Sequence, residues 1–169
     1  MISSVAQSLS STHHITKSRN LGHGSEKSYF LSCKSANLDV RKAPSNQDMR
    51  HHVDFILEGK TVDVKGMKDT HKLGQILLEI KNVQGKQGWC SFSGPDWIAF
   101  DFDTFFLHAR NADLIELVQN KCDLKHKVFR AKDALYKAYT RKERMDLMTV
   151  VTFADVIKHC KHWRLPKTN

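Results

Sequence analysis

The feature that most constrains this chain is a pair of strand-like stretches, residues 53–57 and 61–65, with only three residues between them. The second stretch alternates strictly between polar and apolar residues, which is typical of a half-buried β-strand. The connection, Glu58-Gly59-Lys60, contains the glycine that tight turns favour. This pattern predicts a β-hairpin.

The predicted hairpin brings two acids and a lysine to one face of the sheet. Residues two apart in a strand share a face, so Asp63 and Lys65 point the same way. A turn at residues 59–60 places Asp54 opposite Lys65, whereas a turn at residues 58–59 places Asp54 opposite Asp63. Either register puts the three side chains together.

Two carboxylates and an amine on a half-buried face form an unfavourable group unless something balances their charges. Like charges repel, and burial disfavours the ionised form. A divalent cation that prefers oxygen ligands, such as Mg²⁺ or Mn²⁺, would resolve the conflict, and the lysine could then orient water or stabilise developing charge. The alternative is an Asp54–Lys65 ion pair on a solvated sheet face.

The other elements predict a single α/β (α+β) domain over residues 24–169, preceded by a flexible basic tail over residues 1–23. We expect the basic segment 121–144 to lie on helices. The remaining expected elements are a helix starting at residues 25–26 and ending near 37, strands at 38–43, 76–81, 97–100, 105–108 and 148–151, and helices from 111 and over 153–160.

The order of these pieces resembles that of the PD-(D/E)xK nuclease superfamily, to which Holliday-junction resolvases and many restriction nucleases belong. The matching pieces are Glu26 early in a helix, the strand 38–42, Asp54, and the hairpin leading to Asp63-Val64-Lys65. The stretch 53–81, followed by Gly88-Trp89, is most similar to small phage-encoded members. The resemblance covers roughly residues 24–110, and it implies a restriction-endonuclease-like core in which helices flank a central mixed β-sheet.

The resemblance also implies roles for individual residues. Asp54 and Asp63 would ligate Mg²⁺, or Mn²⁺ in its place, together with the carbonyl of Val64. Lys65 would position the nucleophile, and Glu26 would be a further acid of the metal shell.

A second acid-x-lysine pair competes with the first. Glu79 and Lys81 repeat the spacing on the following strand, again on one face. In that alternative Asp63 becomes the first aspartate of the motif, and Glu79 and Lys81 take the catalytic roles.

The charge balance indicates a polyanionic partner. The chain has 27 lysines and arginines against 18 acidic residues, a formal charge of +9, and basic proteins bind nucleic acids by displacing condensed counterions. We expect DNA rather than RNA, and a homodimer if both strands are cut. Candidate phosphate-contacting residues are Lys68, Lys72, Lys86, Arg130, Arg141 and Arg144.

These observations together predict a metal-dependent nuclease that hydrolyses DNA phosphodiester bonds, of endonuclease or resolvase type, in DNA repair or recombination. The alternative is an inactive nuclease-like fold that binds nucleic acid or inhibits a host protein. Four widely spaced cysteines match no disulfide framework, so we expect reduced thiols and a cytoplasmic location, in the bacterial host if phage-encoded. No apolar run approaches the roughly 18 residues of a membrane span.

Overall fold

The computed structural model describes residues 22–44, 52–66, 74–92 and 94–168. In this part of the chain, residues 22–35 form helix α1. The other helices are α2 (Asn111–Lys121) and α3 (Phe153–His159), and the strands are β1 (Val40–Lys42), β2 (Phe55–Leu57), β3 (Lys60–Gly66), β4 (Gln75–Lys81), β5 (Trp97–Asp101), β6 (Phe105–Arg110), β7 (Asp123–Val128), β8 (Lys137–Tyr139), β9 (Leu147–Thr152) and β10 (His162–Pro166). None of the helices in these ranges combines the length and apolar character needed to cross a membrane.

The strands form two sheets. The larger has the order β1-β2-β3-β5-β6-β10, and the smaller has the order β4-β9-β8-β7. In the larger sheet β3 and β5 run parallel, whereas the other neighbours are antiparallel. The expected α/β (α+β) class, a mixed sheet flanked by helices, is therefore confirmed.

The hairpin turn lies at residues 58–59, because Leu57 pairs with Lys60. Glu58 and Gly59 both have positive φ, 48° and 74°, as a type I′ turn requires. Glu58 is not a glycine, and two hydrogen bonds hold it there: its N–H donates to the Asp39 carbonyl (2.9 Å), and its carboxylate accepts from the Asp39 N–H (2.7 Å). Of the two registers that the sequence allows, this contact favours the one that sets Asp54 towards Asp63.

The larger sheet has a core on each face. Tyr29 of α1 packs with Phe55, Val62 and Val64 on one face. On the other face, Ile98 and Phe100 of β5 pack with residues of β4, α2, β9 and α3. Because Asp63 pairs with Ile98 and Lys65 with Phe100, these two polar side chains point towards the second core and the smaller sheet.

The secondary structure differs from the predicted elements in three places. The strand at 76–81 forms as predicted, but it belongs to the smaller sheet. The basic segment 121–144 contains β7, β8 and one short 3-10 helix (Ala131–Asp133) rather than longer helices, and its strand pattern is hidden because β7 is mostly exposed. Strand β10 was not predicted, although its inward residues, Trp163 and Leu165, alternate with polar ones.

Helix α1 begins earlier than predicted, and the cysteines are as expected. Residues 22 and 23, assigned to the tail, already belong to α1, and residues 1–21 lie outside the described part. All four cysteines are free thiols, as expected.

Candidate active site

The structure brings Asp63 and Lys65 into direct contact. Lys65 Nζ lies 2.8 Å from Asp63 Oδ2, and the two side chains are 28% and 2% exposed. The contact follows from the strand itself, since residues two apart share a face. The lysine therefore reaches solvent at the rim of the site while the carboxylate lies at its floor.

Asp54 joins this pair at the point where β2 gives way to irregular chain. Its backbone N–H donates to the Val62 carbonyl (2.9 Å), and its Oδ2 accepts from the Val64 N–H (2.8 Å). The side chain of Asp54 thus takes over from the backbone in pairing with β3. This anchors its carboxyl group next to that of Asp63.

Burial dominates the electrostatics of the two acids. It raises the pKa of Asp54 and of Asp63, and each carboxyl group also acts on the other, although Lys65 opposes the increase at both. Burial alone would lower the pKa of Lys65, but Asp63, Asp54 and Glu79 outweigh it and raise that pKa. Asp63 Oδ2 is buried and, within the described residues, has an ion-pair neighbour but no hydrogen-bond partner.

The smaller sheet contributes Glu79, from β4. Burial raises the pKa of this carboxyl group, and Lys65 and Arg141 act against the increase. The segment at Gly88 runs directly over Glu79, because a Cβ built on Gly88 would lie 2.5 Å from the Glu79 carbonyl oxygen. The next residue, Trp89, places its ring 5.5 Å from Lys65 Nζ and so forms one wall of the site.

A second ion pair lies on the Glu79 side. Asp146 has a fully buried side chain, and it pairs with Arg141, whose side chain is 40% exposed. The Arg141 N–H donates to Asp146 Oδ1 (3.0 Å), and its Nε donates to Oδ2. The Arg141 charge is therefore fixed in position rather than carried on a free side chain.

The other residues predicted for the site lie further out. Glu26 of α1 forms an ion pair with Lys42 (2.8 Å), and its charge contributes to the raised pKa of Asp54. Val64 is buried and gives its N–H to Asp54. Lys81, at the end of β4, is exposed. The structure thus gathers Asp54, Asp63, Lys65 and Glu79, with Glu26 beside Asp54.

The predicted phosphate-contacting residues have different surroundings. Lys86 is exposed in the turn after β4, and Arg144 is exposed close to Arg141. Arg130 pairs with Asp133 at the surface, 2.6 Å apart. Lys68 and Lys72 lie outside the described residues.

The site offers a divalent cation two neighbouring carboxyl groups, those of Asp54 and Asp63. In the described ranges, no group of three or more His, Cys, Asp or Glu side chains is arranged to hold a metal ion. Mg²⁺, however, is commonly held by one or two carboxylates, with water and substrate phosphates completing its shell. Asp54 and Asp63 match that smaller donor set, and Asp63 Oδ2, which among the described residues has its ion pair with Lys65 but no hydrogen-bond partner, is the kind of atom such an ion would satisfy.

Two parts of the site were not foreseen. Asp146 was not singled out, although an acid directly before a buried strand in a basic segment is a usable signal. Trp89 is the second such part: it packs on Phe100 in the core and also faces Lys65 as a wall of the site.

No protein-family model matches this chain, and neither does any curated protein or any solved structure.

Proposed function

We propose that this protein is a metal-dependent nuclease that hydrolyses phosphodiester bonds in DNA. The observation that carries the proposal is the contact of buried Asp63 with Lys65, beside the anchored carboxyl group of Asp54. Buried acids with raised pKa values lower the free energy of unfolding at neutral pH, so a purely structural role does not explain them. Groups perturbed in this way cluster at functional sites.

The local charge balance supports a divalent cation. Within the described part of the chain, Asp54, Asp63, Glu79 and Asp146 face two cations, Lys65 and Arg141, so two negative charges are left over among these six groups when all are ionised. Mg²⁺ or Mn²⁺ would neutralise that excess, held by Asp54 and Asp63 with the Val64 carbonyl. A bound ion of this type supplies Lewis-acid stabilisation and a more acidic water molecule.

Lys65 is suited to orient the nucleophile rather than to deprotonate it. The carboxylates around it raise its pKa, so it stays a cation at neutral pH. Asp63 on one side and the Trp89 ring on the other restrict where the ammonium group can lie. Its remaining protons can donate to an attacking water or to a phosphoryl oxygen, where charge develops during the reaction.

The charge of +9 supports DNA as the polyanion. Outside the site, the DNA backbone can be contacted by the exposed side chains of Lys86 and Arg144 and by Arg130, which is paired at the surface. Such contacts increase the affinity and fix the position of the protein on DNA, but they do not distinguish one base sequence from another. Cutting both strands needs two such sites, so we expect a homodimer, to be measured by light scattering with and without DNA.

The test is cleavage of plasmid, linear and branched DNA with Mg²⁺ by the wild type and by Asp63→Ala, Lys65→Ala and Lys81→Ala. Removing Asp63 or Lys65 should reduce the rate by about 10²–10⁴-fold, the usual contribution of a positioned catalytic group. Lys81→Ala is the matched control, since it removes the same side chain from the competing acid-x-lysine pair at an exposed position, and we expect a nearly unchanged rate.

A wild-type protein that binds DNA but cuts it with neither Mg²⁺ nor Mn²⁺ would favour an inactive nuclease-like fold that only binds. Preferential cleavage of RNA in a competition between the two substrates would change the substrate class and leave the chemistry intact. Loss of activity in Lys81→Ala but not in Lys65→Ala would show that Lys81 of β4, and not Lys65, positions the nucleophile.

A further inference from the structure

We infer that Arg141, held in place by Asp146, forms a phosphate-binding subsite of this centre and takes a non-bridging oxygen of the substrate phosphodiester. The inference rests on the proposed function, because it assigns that function a specific anion contact. It concerns a residue of the loop between β8 and β9, outside the hairpin that carries the acid-and-lysine group.

The first observation is that the carboxylate of Asp146 is buried and hydrogen-bonded mainly to Arg141. Its side chain has no exposed surface, and it accepts from the Arg141 N–H, from Arg141 Nε and, more distantly, from Thr140 Oγ1 (3.4 Å). Burying a carboxylate is unfavourable unless it is paired and hydrogen-bonded. The arrangement fixes a guanidinium group in one orientation, which reduces the entropy that it loses when a ligand binds.

The second observation is where this pair lies. Asp146 directly precedes β9, whose Leu147 and Met148 pair with Lys81 and Glu79 of β4. The loop 140–146 is therefore attached to the same end of β4 that carries Glu79. Arg141 and Lys65 both act against the raised pKa of the Glu79 carboxyl group, so both cations lie within electrostatic range of it.

The third observation concerns the donors that remain. The pair with Asp146 uses Nε and Nη2 of Arg141, so the two protons on Nη1 are not needed for it. The Arg141 side chain is 40% exposed and that of Asp146 is fully buried, so the exposed part of this ion pair belongs to Arg141. Guanidinium groups bind phosphate oxygens through parallel N–H donors on two different nitrogens, here one proton of Nη1 and the second proton of Nη2.

Arg130 provides the contrast. It also pairs with an aspartate, Asp133, but its side chain is 69% exposed and that of Asp133 is 37% exposed. A pair of this kind at the surface is mobile and screened by salt. Arg130 can add to the long-range attraction of DNA, whereas Arg141 should recognise a phosphate within the site.

A small ligand separates these two roles. Thymidine 3′,5′-bisphosphate carries two phosphates and is too short to span the protein surface, and its binding can be measured by calorimetry with Ca²⁺ present. We expect Arg141→Gln to weaken binding by about 10-fold, the order of one charge-assisted contact. Asp146→Asn should weaken it by a smaller factor, and Arg130→Gln should leave it unchanged.

Arg141→Lys keeps the positive charge, and it provides a second test if the glutamine variant does not fold. An ammonium group cannot reproduce the paired geometry, so its affinity should fall between those of the wild type and Arg141→Gln. If Arg141→Gln and Arg141→Lys both bind the bisphosphate as tightly as the wild type, or if the wild type does not bind it, the inference is overturned.

The same variants separate this inference from the proposed function. If cleavage depends on Asp63 and Lys65 but substitution of Arg141 leaves bisphosphate binding unchanged, the proposed nuclease function stands and the phosphate subsite is rejected. Binding that depends on Arg141, in a protein that cuts no nucleic acid, would retain the subsite and reject hydrolysis.

Discussion

The backbone N–H of Val64 donates to the side-chain carboxylate of Asp54, 2.8 Å away, where a regular strand pair would use a backbone carbonyl. Asp54→Asn keeps an oxygen for this bond and removes a buried charge next to Asp63. We therefore expect the variant to have a higher free energy of unfolding at pH 7–8 without metal, by about 0.5–2 kcal/mol, measured by urea denaturation. Its cleavage rate should fall.

The pH dependence of that gain has a definite sign. The pKa of Asp54 is raised above 3.8 in the folded protein, so wild-type stability decreases as pH rises from about 4 through the raised value. The advantage of Asp54→Asn should be absent below about pH 4 and complete above the raised pKa. Asp133→Asn, at the surface, should show no such gain, and an Asp54→Asn protein less stable than the wild type at pH 8 would contradict the prediction.

Divalent cations should stabilise the folded protein, since the acids that would hold them are gathered only after folding. We expect Ca²⁺ at a hundred times its Kd to add about 2.7 kcal/mol, seen as a rise in Tm. Asp63→Asn should lose most of this rise, whereas Asp133→Asn should keep it. An equal rise in both variants would place the cation elsewhere.

Gly88 should tolerate no side chain. A Cβ there would lie 2.5 Å from the Glu79 carbonyl oxygen and 2.9 Å from its carbon, and both are backbone atoms that cannot move without displacing β4. Gly88→Ala should destabilise the protein by about 1–3 kcal/mol and reduce cleavage, because Glu79 and Trp89 shift. Gly24→Ala is the control: nothing lies within 4 Å of its Cβ in α1, so it should stabilise by about 0.5–1 kcal/mol.

A buried histidine makes the fold sensitive to acid. His108 is fully buried, stacks on Trp163 with centroids 3.6 Å apart, and shares a 2.8 Å hydrogen bond with the Tyr29 hydroxyl. Burial lowers its pKa to about 3. The unfolded chain takes up a proton near pH 6.5 and the folded protein does not, so stability is lost as pH falls from about 6.5 towards about 3.

His108→Gln should abolish that contribution. Glutamine can still accept from Tyr29 but does not titrate. The difference in unfolding free energy between the wild type and the variant should therefore change by about 1.4 kcal/mol per pH unit over this range, whatever constant offset the lost stacking adds. A difference independent of pH would show that His108 is protonated in the folded state.

The sequence was sufficient to predict the hairpin and the shared face of its acids, because strict alternation over residues 61–65 leaves little choice about which side chains point inward. It was not sufficient to choose the turn. Both turns have a glycine in an acceptable position, and the choice depends on Asp39, which contacts Glu58 only after β1 has formed.

The second half of the site depends on contacts that local pattern does not encode. The alternation within β4 predicts that Glu79 and Lys81 share a face, but not that Glu79 approaches Lys65 while Lys81 stays exposed. That difference arises from the pairing of β4 with β9, which has an irregularity between these two residues. The pairing of Asp146 with Arg141 likewise appears only once β9 is in place.

The division of the centre between two sheets has a consequence for protein synthesis. The hairpin emerges from the ribosome well before Arg141 and β9, so a nascent chain carries Asp54, Asp63 and Lys65 before it carries the second cation of the site. The site is therefore complete only when β9, which ends at Thr152, has been synthesised and has paired with β4.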